Sequence, residues 1–104
     1  MEEIKLYKII WSPTFIRELD AICDYMATNL MEPKISRNFY HKIVERLNSL
    51  KIFPERHKKM QVRDIIFRKL LIKNYVIIYQ INFRIREVLI LHIFHGNQNY
   101  LSLI

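Results

Sequence analysis

Three apolar runs dominate the second half of the chain: Ile65 to Ile72, Tyr75 to Ile81 and Val88 to Phe94. Each is rich in Ile, Val, Leu, Tyr and Phe, and each is short enough for a strand. Lys73-Asn74 separates the first two, and Asn82 to Arg86 separates the last two. Breaks of this length suit hairpins, so the stretch predicts a three-stranded antiparallel meander. Ile4 to Ile10 alternates less regularly, interrupted by Lys5 and Lys8, and predicts a first strand. The pattern leaves open which side of the meander that strand joins.

Between these strands the period changes to that of a helix. Ser12-Pro13 is a start signal: the Ser hydroxyl accepts from a free backbone N–H, and Pro tolerates the first helical position. Phe15, Leu19, Ile22 and Met26 recur at helical spacing, with Ile16, Cys23 and Leu30 beside them. This helix is expected to end between Asn29 and Glu32, ahead of Pro33. A second helix begins at Pro33 with the stripe Ile35, Phe39, Ile43, Leu47 and Leu50, and Phe53-Pro54 stops it. The close pair folds back as an antiparallel helix hairpin, whose wide apolar faces need the meander to cover them. Phe53 to Gln61 reads as a polar, basic loop. The expected fold is α+β: strand, antiparallel helix hairpin, then three-stranded antiparallel meander, in one domain spanning residues 1–104. The apolar tail Leu101 to Ile104 either packs back or needs a partner to cover it.

Composition narrows the class. The chain is 51% hydrophobic, which argues against disorder, and one Gly and three Pro leave little material for linkers. The single Cys23 cannot form an internal disulfide and reads as a small buried hydrophobe. Met1-Glu2-Glu3 is acidic where a secretion signal would be basic, and no apolar run approaches the length of about 18 residues that spans a membrane. The expected compartment is the cytoplasm.

The net charge of +7 is unevenly placed. Residues 1–50 carry seven basic and seven acidic side chains, whereas residues 51–73 carry eight basic side chains against Glu55 and Asp64. A local basic patch is a footprint for a polyanion or an acidic protein; its plainer reading is a solvated face.

The markers along this order resemble the RelE/ParE superfamily of toxins from bacterial type II toxin–antitoxin modules. Trp11-Ser12-Pro13 opens the first helix, followed by Leu19, Ile22 and Asp24-Tyr25. Leu50-x-x-Phe53-Pro54-Glu55-Arg56 ends the second. Then come Arg68, Leu70, Tyr75-Val-Ile-Ile-Tyr79 and Ile93-Phe94-His95-Gly96. The Phe-Pro-Glu-Arg and Tyr-x-x-x-Tyr elements resemble the ParE-like branch more than compact RelE. The resemblance implies a growth-inhibiting toxin, silenced by a cognate antitoxin in a toxin–antitoxin hetero-oligomer. Its target would be ribosome-bound mRNA, cut without a metal or other cofactor as by RelE-like members, or DNA gyrase, poisoned as by ParE-like members. An inactive relative that binds nucleic acid or protein is the alternative. Fold alone does not choose among these.

RNA cleavage needs a base, an acid and a cation for the phosphorane. Arg68 falls where the family usually places an Arg, and its fork suits phosphate; a rim salt bridge to Asp64 or Glu87 is the structural alternative. His95 matches the region where RNA-cutting relatives place a catalytic His or Tyr, and a purely structural His is its alternative. Tyr100 is the third candidate, to stack on a base or assist proton transfer. Lys58, Lys59, Arg63, Lys69 and Lys73 are candidates for neutralising phosphates. His92 and His95 lie on opposite strand faces, which disfavours a metal pair. Tyr75 and Tyr79 share a face and read as core, and Trp11 as a packing anchor. The lack of an obvious Glu in the strands, and Gly96-Asn97 after His95, depart from the RNA-cutting pattern.

Overall fold

The computed structural model describes residues 5–96. It contains β1 (Lys8–Trp11), α1 (Pro13–Asp24), a π-helical turn (Tyr25–Asn29), α2 (Pro33–Asn48), two 3₁₀ turns (Ser49–Lys51 and Pro54–Arg56), β2 (Lys58–Val62), β3 (Ile65–Ile72), β4 (Tyr75–Asn82) and β5 (Glu87–His95). The strands form one sheet in the order β1-β5-β4-β3-β2. The expected meander is present as β3-β4-β5, antiparallel throughout. β1 joins it at β5, in parallel, after the helix hairpin crosses over one face.

Several expectations are corrected, beginning with the first strand, which starts at Lys8 rather than Ile4 and runs on to Trp11. The stretch Phe53 to Gln61 is not a loop: its second half is β2, paired antiparallel with β3 from Lys58↔Lys69 to Val62↔Ile65. Met60 and Val62 place their apolar side chains against the sheet while Lys59 and Gln61 alternate away, the pattern of an edge strand. Ile35 is half-exposed rather than part of the buried stripe. Ser36 takes the inward position, and its hydroxyl donates to the Cys23 carbonyl at 2.7 Å, tying the two helices together. That exchange lies at the start of α2, where the chain turns back from α1. Cys23 is only partly buried, and desolvation pushes its thiol pKa up.

The main core lies between the helices and the sheet. Phe15 and Leu19 from α1 and Phe39, Ile43 and Leu47 from α2 meet Leu70, Ile72, Ile77, Tyr79, Val88, Ile90 and Ile93. Trp11 packs edge-on to Phe15 at 5.3 Å and to Tyr40 at 6.4 Å, the anchor its position predicted. Ser12 caps α1, its hydroxyl accepting from the Phe15 N–H at 3.0 Å. A smaller cluster, Phe67, Val76, Ile78 and Phe94, is buried on the sheet's other face with Met60, Val62 and Leu91 against it.

A bulge in β5 sets which side chains face the helices. Tyr79 pairs with Ile90 but Ile78 pairs with His92, so Leu91 is the extra residue. Without it His92 would follow Val88 and Ile90 onto the helix side. With it, Ile93 enters the main core, His95 lies against Tyr75 with ring centroids 5.4 Å apart, and His92 stacks on Phe94 across the other face. Gly96 closes this end: its N–H donates to the Asn74 carbonyl at 2.6 Å, and a Cβ there would stand 3.1 Å from the same oxygen.

Candidate functional site

The predicted residues do not converge on one point. Arg68 pairs with Tyr79 and His95 pairs with Tyr75, on either side of β4. Four residues along a strand and two strand spacings across put their Cα atoms about 16 Å apart. Both lie on the helix side of the sheet, and the surface between them is the main core, where Ile77 and Tyr79 are fully buried. Tyr100 lies outside the described residues.

Arg68 is a strut. Its Nη1 donates to the Glu55 carbonyl at 2.7 Å and to the His57 carbonyl at 3.1 Å. The ion pairs to Asp64 or Glu87 that its position suggested are not formed; main-chain carbonyls take their place. Next to it the Tyr79 hydroxyl donates to the Pro54 carbonyl at 2.5 Å, and burial pushes the phenol up to about 12. Arg56 donates from Nη2 to the Ser49 carbonyl and hydroxyl, at 3.1 and 2.8 Å. Arg68 and Tyr79 thus bind the connection between α2 and β2 to the sheet, and Arg56 ties it to the end of α2. His57, among them, is held below its usual imidazole pKa by burial and then by the charges of Arg56, Arg46 and Arg68.

Of the predicted phosphate ligands, Lys58 and Lys69 stand directly opposite each other on the face away from the helices. Lys59 stands opposite Arg68 on the helix side. Like charges directly across a ladder destabilise it, so this edge strand holds its cations at a cost in stability. Arg63 and Lys73 occupy the turns at opposite ends of β3, with φ of 58° and 51°, about 27 Å apart by strand rise.

A second constellation was invisible in the sequence. β1 stops at Trp11, which leaves the far half of β5 as an edge. The Ser12 hydroxyl donates to the Leu91 carbonyl at 3.0 Å, and Glu18 then takes over. Its Oε1 accepts the Ile93 N–H at 3.1 Å and lies 3.2 Å from His92 Nδ1. Beside this pair a cleft of about 580 Å³ opens between α1 and β5, with Ala21, Ile22, Tyr75 and His95 among its walls. A carboxylate holding an imidazole is an arrangement that general bases use. Here the carboxylate also completes a strand edge, and among the described residues no Lys or Arg lines the cleft to stabilise a phosphorane. Nothing flags the pair in the sequence, since 74 residues separate its members.

With this geometry in place, comparison of the sequence with known families finds one match, to the ParE toxin of the parDE type II toxin–antitoxin system, over residues 9–100. The chain belongs to the ParE toxin family. It is the toxin component of a type II toxin–antitoxin module. Among curated proteins none matches the sequence. Several solved structures share the fold of this ParE-family toxin. The chromosomal ParDE system of P. aeruginosa superposes with a TM-score of 0.73 at 20% identity, covering 88% of this chain and 97% of that one. The RelBE2 toxin–antitoxin complex of Mycobacterium tuberculosis gives 0.66 at 20% identity, covering 91% and 97%. The archaeal RelE–RelB complex of Pyrococcus horikoshii gives 0.65 at 16% identity, covering 89% and 98%. At these identities the likeness concerns the fold. The α+β architecture expected from the sequence is therefore that of both ParE and RelE proteins. No helix of the described residues is long and apolar enough to cross a membrane.

Proposed function

We propose that this ParE-family toxin arrests growth by binding and poisoning DNA gyrase in the cytoplasm, with no bond-breaking step of its own. The observation that carries the reading is the separation of Arg68 from His95 by about 16 Å of packed core. The Arg68 guanidinium is already engaged with the Glu55 and His57 carbonyls, which hold it on the β2 side of the sheet, whereas His95 lies on β5 beyond β4. Tyr79, the remaining proton carrier near Arg68 besides His57, is buried and too weak an acid. Among the described residues, no Lys or Arg lines the cleft that holds a paired imidazole. The family match to ParE, whose members are gyrase poisons by the resemblance drawn above, points the same way.

Control of such a toxin falls to a cognate antitoxin. The P. aeruginosa, M. tuberculosis and P. horikoshii structures are of toxin–antitoxin systems or complexes, and this supports the same kind of partner here. The basic rim of β2, an edge strand with Lys58 and Lys59 exposed, suits an acidic chain added alongside it.

Two assays on the purified toxin test the proposal. Supercoiling of relaxed plasmid by gyrase should fall as toxin is added, and primer extension on mRNA from a translation extract should show no new ends. Cuts within translated codons, absent without ribosomes, together with unimpaired gyrase, would replace this reading with the RelE-like one. If expression does not slow growth at all, the chain is an inactive relative.

A further inference from the structure

The end of the sheet where β1 and β5 begin carries large apolar side chains in water. Leu6 is 59% exposed, Phe53 65%, Phe83 55% and Ile85 57%. They come from three separate stretches of chain that the backbone ties into one surface. The Tyr7 N–H donates to the Lys51 carbonyl and the Lys8 N–H to the Arg86 carbonyl, both at 2.9 Å. Tyr7 meets Phe83 edge-on, with centroids 6.4 Å apart. The turn between β4 and β5 is also braced from within. Asn82 Oδ1 accepts the N–H groups of Arg84 and Ile85 at 3.1 and 3.2 Å, which fixes the loop that displays Phe83 and Ile85. Beside this turn lies a hollow of about 520 Å³ with Gln80, Phe83 and Leu89 on its walls.

Charge surrounds this apolar surface. Lys5, Lys8, Lys51, Arg84 and Arg86 stand around it, outnumbering the acids near this end among the described residues, which are Glu87, Glu55 next to Phe53 and Asp64 in the β2–β3 turn. None of the five makes an ion pair within the described residues. Apolar anchors on a rigid loop, inside a ring of like charge, have the layout of an interface core with its rim. Preorganisation lowers the entropy lost on docking. The occupant that fits is a protein surface with an apolar cavity and an acidic border. Single-stranded nucleic acid would find stacking planes only at Phe53 and Phe83, whereas the aliphatic Leu6, Ile52 and Ile85 between the cations suit an apolar protein cavity better.

We infer that this end of the sheet, led by the Phe83–Ile85 turn, is the surface with which the toxin grips its acidic protein target. The inference rests on the binding-toxin reading above and places the grip about a sheet's length from the cleft beside Glu18.

The test uses the full chain and purified DNA gyrase as the probe. The double variant Arg84→Glu/Ile85→Ser changes two exposed side chains whose backbone N–H groups alone serve the turn, and its melting temperature should match the wild type. The variant should need about tenfold more protein, or higher, for half-inhibition of supercoiling, as expected when an anchor and its rim charge are lost together. Leu71→Ser, equally exposed but on the open face of β3, should inhibit like the wild type. Unchanged inhibition by a folded Arg84→Glu/Ile85→Ser variant overturns the inference and leaves the gyrase reading standing. Loss of inhibition in Leu71→Ser with none in the double variant overturns it as well. A wild type that does not touch gyrase overturns the binding-toxin reading itself.

Discussion

Replacing Arg68 with Ala separates a structural arginine from a catalytic one. The guanidinium donates to two carbonyls, of Glu55 and His57, at 2.7 and 3.1 Å. A hydrogen bond from a charged group to a buried acceptor contributes about 1.5–3 kcal/mol, but this side chain is half-exposed, so about 0.5–1 kcal/mol per bond is the better figure. Removing Arg68 also relieves its like-charge contact with Lys59 across the β2–β3 ladder, which returns a few tenths of a kcal/mol. The net loss is about 1 kcal/mol. For a chain of this length that lowers the melting temperature by about 4–8 °C. Thermal unfolding by circular dichroism measures it directly, and Arg68→Lys, able to reach one carbonyl, should fall between. The folded fraction of Arg68→Ala at room temperature should stay near unity, so toxicity expressed per folded molecule should hold. An unchanged melting temperature with abolished toxicity would refute the strut and return Arg68 to the reacting centre.

Tyr79→Phe deletes the hydroxyl that the Pro54 carbonyl accepts and leaves that buried acceptor unmet. It should lose about 1–2 kcal/mol in urea unfolding while inhibiting gyrase normally, since a phenol at about 12 gives up no proton near neutrality. His57 predicts a pH effect. Burial and the charges of Arg56, Arg46 and Arg68 hold its folded pKa below the unfolded value of about 6.5, so the unfolded chain takes up the proton first as pH falls. The stability it contributes is complete above about pH 6.5 and declines below it toward the folded value. The melting temperature of the wild type should therefore drop more than that of His57→Gln between about pH 7.5 and 5.5; parallel curves would contradict this.

Periodicity made the core elements readable in advance. Val88, Ile90 and Ile77 alternate in runs too short for helices, and Phe39, Ile43 and Leu47 recur every fourth residue. What was missed has local causes. β2 carries only Met60 and Val62 as apolar residues among lysines, and it becomes a strand because β3 offers it a free edge. The slip from Ile35 to Ser36 follows from the Ser36 bond to Cys23, a contact between helices that no single-helix pattern contains. The bulge at Leu91 lies inside a continuous apolar run, where a shift of face leaves no trace in composition. Arg68 was singled out for a phosphate, or for an ion pair with Asp64 or Glu87, and its partners are instead the Glu55 and His57 carbonyls. Those partners are carbonyls of a turn, and carbonyls have no signature in a sequence. Glu18 and His92 met only because β1 ends early and α1 crosses the edge it leaves.

The most direct measurement is gyrase supercoiling titrated with the wild-type toxin and with the Arg68→Ala/His95→Ala double variant. Inhibition by both, at similar concentrations of folded protein, is what a binding toxin without its own chemistry predicts. A wild type that leaves gyrase untouched and cuts mRNA on the ribosome, with cutting lost in the double variant, would contradict it.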